Sequence, residues 1–363
     1  MPGQSLNNVN IQSITLLPTP REIRQQFPQT AATRRTVSEA REAVERILDR
    51  EDPRLLAIVG PCSIHDLDAA TEYANRLHAL SQKIRDSVVV IMRVYFEKPR
   101  TTVGWKGFIN DPFMDDTFRM DEGLRRARRF LLTLAEMGLP AANEALDPIT
   151  PQYLADLIAW TAIGARTSES QTHRELSSGL SMPVGFKNGL DGSFSPAINA
   201  IKAALQPHHF FGITELGRPA VFGATGNPYP HIVLRGGVKP NYDPEAILAC
   251  EKALAAAGLP VRMIVDCSHG NSNKDPGKEA EVLANVTAQI EAGNRSIVGV
   301  MLESNLEWGS QPMADDPAKL KYGVSITDAC IDWPTTEALL LELHSRYRKA
   351  MPDRLPPKKS GAS

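Results

Sequence analysis

Short, uninterrupted apolar runs separated by helical stretches set the first limit on what this chain can fold into. The runs are Leu55–Gly60, Val88–Val94, Pro140–Leu146, Ile163–Arg166, Pro183–Lys187, His209–Thr214, Arg262–Cys267 and Ile297–Leu302. Most lack the alternation of a half-exposed antiparallel strand and read as parallel strands buried on both faces. Helical patterns lie between most of them. Asp121–Met137 stops at Gly138, and Pro151–Trp160 follows Thr150 with proline at its first position. Asp243-Pro244 opens a helix that ends at Gly258, and a last helix runs from about Pro334 to Ala350. Eight strands alternating with helices predict an α/β fold, a (β/α)8 TIM barrel. An open doubly wound sheet competes, but no G-x-G-x-x-G follows the first strand.

Around that barrel, residues 1–35 read as an N-terminal arm with few periodic apolar positions. Thr36-Val-Ser-Glu39 resembles a capping box opening a helix through Ala40, Val44, Ile47 and Leu48, which Asp52-Pro53 ends. The barrel then occupies 36–350, and 351–363 read as a flexible C-terminal tail. Two stretches break the rhythm. Residues 215–234 carry Gly-Asn-Pro turn chemistry between two β-rich runs and read as an inserted β-hairpin. Lys98–Asp116, with Gly104, Gly107 and Pro112, reads as a long loop at the functional face.

Composition removes several function classes. With 42% hydrophobic and 23% charged residues and a net charge of −2, the surface as a whole should attract neither nucleic acid nor acidic membranes. The opening MPGQSLNNVNIQSIT lacks the basic and apolar regions of a secretory signal, and the longest apolar runs are too short to span a bilayer. A cytoplasmic protein is expected. Cys62, Cys250, Cys267 and Cys330 form no C-x-x-C pair, so disulfides are not expected. Cys250 and Cys330 read as small buried apolar residues.

Cys62 differs, because GPCSIH at 60–65 follows the first strand and presents a thiol where barrel ligands sit. Other strand ends deliver Arg93, Glu144, Arg166, Lys187, Arg235, His269 and Glu303, and Lys98 and Arg100 follow Arg93 closely. Any one of these could be a solvated surface charge. Several cations converging on one mouth repel one another unless anions neutralise them, which points to phosphate or carboxylate groups on the ligand. Cys62, His269, Glu303 and Asp328 follow the first, seventh and eighth strands and the next loop. If the barrel brings them together, thiolate, imidazole and two carboxylates suit one divalent metal ion (Mn²⁺, Fe²⁺, Co²⁺ or Zn²⁺) without selecting among them.

GPCSIH, MRVYFEKPRTTVGWKG, NEALD, AIGARTSESQTHRE, PVGFKNGLDGS, HIVLRGG, DCSHGNSNKD and YGVSITDACIDW together resemble the microbial type I 3-deoxy-D-arabino-heptulosonate 7-phosphate (DAHP) synthases regulated by aromatic amino acids. The resemblance runs from about Leu6 to Trp333. It implies a metal-dependent transferase that condenses phosphoenolpyruvate with erythrose 4-phosphate and releases phosphate, at the entry to the shikimate pathway. It implies metal ligands Cys62, His269, Glu303 and Asp328. A phosphoenolpyruvate site would comprise Arg93, Lys98, Glu144, Arg166, Lys187 and Arg235, and an erythrose 4-phosphate site Lys98, Pro99, Arg100 and Thr101. Lys98 is the candidate proton donor beside the catalytic Cys62, His269 and Asp328. A related class uses arabinose 5-phosphate instead, but the KPRT segment and the long arm argue against it. A non-catalytic amino-acid sensor is the other alternative, disfavoured by the intact ligand set.

The resemblance also implies that the arm and hairpin build subunit contacts, in a homodimer or homotetramer, and a feedback site near Asn8, Pro151, Leu180, Ser181, Phe210 and Gly212. Related phenylalanine-sensitive enzymes carry a hydroxyl side chain at the position of Gly212. Glycine leaves room for a phenolic oxygen, so tyrosine is the expected effector, with phenylalanine or tryptophan as alternatives.

Overall fold

The computed structural model describes residues 6–100, 104–314 and 316–355. Among these residues, eight parallel strands close into a barrel in the order β1-β10-β9-β8-β5-β4-β3-β2. They are β1 (Leu55–Gly60), β2 (Val88–Arg93), β3 (Ala141–Glu144), β4 (Ile158–Ile163), β5 (Val184–Lys187), β8 (Pro230–Leu234), β9 (Met263–Asp266) and β10 (Ile297–Glu303). A separate antiparallel pair, β6 (His208–Ile213) and β7 (Pro219–Ala224), forms a hairpin outside the barrel. The strands run uninterrupted and apolar because helices cover their outer face while side chains fill the interior.

The barrel has one closed end. Helix α2 (Ala31–Leu48) lays Ala40, Val44, Ile47 and Leu48 against the interior residues Leu56, Ile58, Ile91, Trp160 and Ile264. Arg41 of α2 donates to the carbonyls of Ala155 and Ile158, and Arg262 reaches back to the Leu48 carbonyl. The carbonyl of Ile158 and the side chain of Arg262 lie at the starts of β4 and β9, so α2 covers that end of the barrel and leaves the opposite end open. Midway along the interior, Trp160 Nε1 donates to His231 Nε2 at 3.0 Å. Burial lowers the His231 pKa to about 3, so this imidazole stays neutral and accepts that bond.

Four expectations from the sequence are corrected. The fourth strand spans 158–163, not 163–166, and the predicted helix Pro151–Trp160 is a short helix, α5 (Thr150–Leu154), followed by a 3-10 turn. LIAWTAI suits either periodicity, and pairing on both sides with β3 and β5 decides for the strand. The sixth barrel strand is Pro230–Leu234, not His209–Thr214, and the inserted hairpin spans 208–224 rather than 215–234. Residues 208–213 alternate in exposure, as a surface strand does, whereas Pro230–Leu234 is wholly buried. Asn227, expected in the hairpin turn, instead ties the connection into β8 by donating to the carbonyls of Leu180 and Met182.

The arm's boundary also moves. Helix α1 (Pro20–Gln26) lies within it, and α2 starts at Ala31 under a Thr30 cap rather than at Thr36. At the other end, Met351–Arg354 forms a 3-10 turn in which Arg354 donates to the carbonyls of Asn294 and Ile297. That part of the expected tail is therefore docked, and 356–363 lie outside the described residues.

Interior packing leaves little slack at Gly185 of β5. A methyl group there would sit 2.3 Å from Trp160 Cζ2 and 2.7 Å from Val233 Cγ2. Gly185→Ala is expected to destabilise the barrel by about 1–3 kcal/mol, read as a lower urea midpoint with an unchanged slope.

Candidate active site

Each strand of the barrel ends at the open mouth, and the register levels those ends. Gly60 of β1 lies opposite Glu303 of β10, and Asp266 of β9 opposite Met301. Gly60 has a φ of 153°, and a Cβ there would sit 2.9 Å from the Arg93 carbonyl oxygen. That close approach needs glycine, and it turns the chain so that Cys62 follows immediately at the mouth.

Three of the four residues expected to hold a metal come together directly. Cys62, Glu303 and Asp328 each offer a donor atom within 4.8 Å of the others. The fourth, His269, places Nε2 3.4 Å from Glu303 Oε1. Soft thiolate, imidazole and carboxylates within this span fit a divalent transition-metal ion. Burial, reinforced by Glu303, pushes the Cys62 thiol up. Lys98 lies against that thiol, donating to Cys62 Sγ at 3.2 Å and to its carbonyl at 3.0 Å. Burial opposes the charge on Lys98, but Cys62, Glu303 and Glu144 outweigh it and raise the ammonium pKa. Burial likewise works against the Asp328 carboxylate, which His269, Lys274 and Lys98 hold below its ordinary range.

Above this cluster opens a cleft of about 620 Å³ lined by Lys98, Pro99, Arg100, Glu144, Arg166, Lys187, Arg235, His269 and Asp328. The expected anion-binding residues thus share one wall, with Arg93 as the departure. Arg93 is fully buried beneath the cleft, where it donates to Glu303 Oε1 and Met301 Sδ, both at 2.8 Å. Its guanidinium stacks 4.0 Å above the Tyr95 ring, whose face also lies 5.8 Å from Lys98 Nζ. Thr101 lies outside the described residues.

Sequence reasoning missed several neighbours. Asp266, fully buried at the end of β9, contacts His269 and Lys187. Although burial works the other way, His269 and Lys187 hold its carboxyl far below the usual range. The available signal was an acidic residue closing an apolar strand three positions before His269. Lys274 pairs with Asp328 at 3.6 Å. Glu97, beside Lys98, is buried and accepts from Thr150 Oγ1 at 3.3 Å.

The residues expected around a feedback site are only partly gathered. Phe210 stacks on Phe222 with ring centroids 5.9 Å apart, and its Cζ would lie 3.1 Å from a Cβ at Gly179. That sets the hairpin beside Leu180 and Ser181. A Cβ at Gly212 would point at the Phe222 ring, 2.9 Å away. Pro151 is buried at the head of α5, and Asn8 is exposed on the N-terminal segment.

Residues 30–341 match the family model described as the DAHP synthetase I family. The Tyr-sensitive phospho-2-dehydro-3-deoxyheptonate aldolase of Salmonella typhimurium is 54% identical over 344 residues, covering 95% of this chain and 97% of that one. The Phe-sensitive enzyme of Escherichia coli K12 is 52% identical over 337 residues, covering 93% and 96%. The solved phospho-2-dehydro-3-deoxyheptonate aldolase of Francisella tularensis superposes with a TM-score of 0.90 at 44% identity, covering 96% of this chain and 100% of that one.

Glu97 gives the site's surroundings a pH signature. Burial, reinforced by the Asp147 charge, raises its carboxyl from 4.5 to about 8. The folded protein therefore keeps a proton that the unfolded chain releases near pH 4.5, and stability falls as pH rises from there to about 8. Glu97→Gln removes this loss. Urea unfolding across the pH range should find the variant and wild type alike in acid, with the variant gaining up to about 1.4 kcal/mol per pH unit above that point. Parallel stability curves would show that Glu97 does not titrate in this way.

Proposed function

The chain belongs to the DAHP synthetase I family, and we propose that the mouth of its barrel condenses phosphoenolpyruvate with erythrose 4-phosphate, releasing phosphate, as the first step toward the aromatic amino acids. The observation that carries this reading is one cleft whose wall is cationic and whose floor holds a thiol, an imidazole and two carboxylates. Such a wall suits two phosphorylated substrates, and such a floor suits one metal ion.

Cys62, His269, Glu303 and Asp328 would hold the cation, which when bound supplies a Lewis acid for the aldehyde oxygen. Its identity is open among Mn²⁺, Fe²⁺, Co²⁺ and Zn²⁺, because the donor set is mixed. Arg166, Lys187 and Arg235 would grip phosphoenolpyruvate, with Glu144 bounding the same wall. The Lys98–Arg100 segment, with Thr101, would take the tetrose phosphate. Lys98 stands between the donor cluster and the cleft, placed to give a proton to the alkoxide oxygen formed when the new carbon–carbon bond closes. Arg93 acts from below, orienting Glu303. Water then adds to the former enol carbon and phosphate departs by carbon–oxygen cleavage. Holding two anions in register despite their repulsion contributes on the order of 7–11 kcal/mol.

Tyrosine is the effector in this reading. The two relatives differ little in overall identity, so Gly212 is the specific argument, as the position where a phenolic oxygen would need space. The N-terminal segment exposes Leu6, Val9, Ile11, Ile14 and Leu16, side chains that suit contact with a second copy in a homodimer or homotetramer. Among the described residues, no helix is long and apolar enough to cross a membrane, in keeping with a cytoplasmic enzyme.

Chelation should abolish activity and several divalent ions should restore it. Cys62→Ser exchanges a thiolate for a neutral hydroxyl and should lose bound metal at neutral pH. Full metal content in that variant would remove Cys62 from the ligand set.

Gly212→Ser tests the effector. The added hydroxymethyl would have to push aside the Phe222 ring, 2.9 Å from a Cβ there, and that rearrangement beside the effector should cost tyrosine about 1–3 kcal/mol, or roughly tenfold or more in inhibition. Phenylalanine should lose less, and the uninhibited rate should hold. Unaltered tyrosine inhibition in the variant would refute this placement of the effector while leaving the reaction untouched.

A further inference from the structure

Asp266 ends β9, is fully buried, and is absent from the wall of the cleft. Its Oδ2 lies 2.9 Å from His269 Nδ1 and 3.2 Å from Lys187 Nζ, while Oδ1 accepts from the Ser268 backbone N–H at 3.1 Å. Nδ1 and Oδ2 are both buried, and neither meets hydrogen-bond geometry with any described group, each other included, so their 2.9 Å approach is the contact left to satisfy them. One carboxylate oxygen therefore faces both the imidazole of the donor cluster and an ammonium of the anion wall. We propose that Asp266 is a positioning residue shared by the metal and phosphoenolpyruvate halves of the site, so that filling either half raises the affinity of the other. The proposal rests on the reading of the site given above.

The argument starts at His269. Its Nε2 faces Glu303, and to offer a lone pair there the ring must carry its proton on Nδ1, where Asp266 is the acceptor in reach. The backbone is bent to make this contact. His269 has a φ of 54°, an uncommon conformation for a non-glycine residue, held by the Lys274 N–H donating to the His269 carbonyl at 2.6 Å. Lys187 needs the same oxygen for another reason. Its side chain is 4% exposed, and a buried ammonium without a counter-charge is strongly unfavourable.

The two donors compete for one oxygen. A cation on Nε2 makes Nδ1–H a stronger donor and draws it toward Oδ2. Lys187 then keeps a smaller share of that charge and turns more fully to an anion in the cleft. By linkage, the anion strengthens metal binding by the same factor.

Calorimetric titration of the full-length protein with Mn²⁺, with and without saturating phosphoenolpyruvate, tests this without reference to turnover. Wild type should bind Mn²⁺ more tightly when phosphoenolpyruvate is present. Asp266→Asn should weaken Mn²⁺ binding by about 10–100-fold and bring the ratio of affinities with and without phosphoenolpyruvate close to one. Lys187→Gln should tighten Mn²⁺ binding severalfold in the absence of phosphoenolpyruvate, because Oδ2 then serves His269 alone. In an Asp266→Asn background the same Lys187→Gln change should have no effect. An effect that persists there is long-range electrostatics and overturns the proposal, as does an unchanged ratio in Asp266→Asn. Circular dichroism at the titration temperature establishes that each variant is folded. If Asp266→Asn is not, Asp266→Glu, which moves the oxygen while keeping its charge, should lower the ratio instead. Wild-type protein that binds neither ligand overturns the site reading itself, and the link with it.

Discussion

The mouth of the barrel exists as a site because its buried charges are matched before any ligand arrives. Moving an ion from water into a protein interior costs several kcal/mol even after relaxation. Arg93, with a fully buried side chain, faces Glu303 at 2% exposure, and Lys187 at 4% faces Asp266 at 0%. Removing either partner strands the other. Above these pairs the solvent takes over: Arg166 is exposed, Arg235 half-buried and Arg100 exposed. The charge is therefore graded with depth. Paired ions form the buried floor, and the cations of the upper wall stand closer to solvent, where a phosphate can reach them.

That grading depends on the barrel more than on any loop. Parallel register sets Glu303, Asp266 and Lys187 as the last residues of their strands, so their depth is fixed by backbone hydrogen bonding. Helix α2 packs apolar side chains over the far end, so the cluster of charged strand ends gathers at the mouth. Gly60 admits the close approach of the Arg93 backbone, which sets Cys62 and Arg93 at neighbouring strand ends. Pairing Arg93 with Glu303 then spans β2 and β10, the two neighbours of β1.

Much of this was legible in the sequence, because a charged residue closing an apolar run is a local signal. Arg93, Glu144, Lys187 and Glu303 each close their strand, and the alternation of strands with helices was enough for the barrel. What was not legible required knowledge of pairing. Ile158–Ile163 is apolar on either period, and only its two neighbours make it a strand. His208–Ile213 and Pro230–Leu234 are both short and β-rich, and solvent exposure separates the surface hairpin from the barrel. Asp266 was not legible because its partner Lys187 lies on another strand, and only the closed barrel brings the two within 3.2 Å. Nor does anything in the sequence show that the Glu303 carboxylate comes within 2.8 Å of Arg93.

The hairpin lies outside the barrel, yet a run of contacts joins it to the neighbour of Lys98 through the N-terminal segment. Glu215 at its turn pairs with Arg21, and the Glu215 carbonyl accepts from the Arg21 backbone N–H at 2.8 Å. One helical turn further on, Arg24 donates to the Gln152 carbonyl at 2.5 Å, and Tyr153 of α5 donates to the Pro18 carbonyl at 2.8 Å. Thr150, at the head of α5, donates to Glu97, the residue before Lys98. A ligand shifts a distant equilibrium only by its differential affinity for two arrangements. A rigid barrel wall offers a poor second arrangement, whereas this route crosses short elements tied by single hydrogen bonds and one ion pair, each hydrogen bond net worth only about 0.5–1.5 kcal/mol. The barrel supplies the permanence that the metal and phosphate groups require, and the elements around its rim supply contacts weak enough to rearrange.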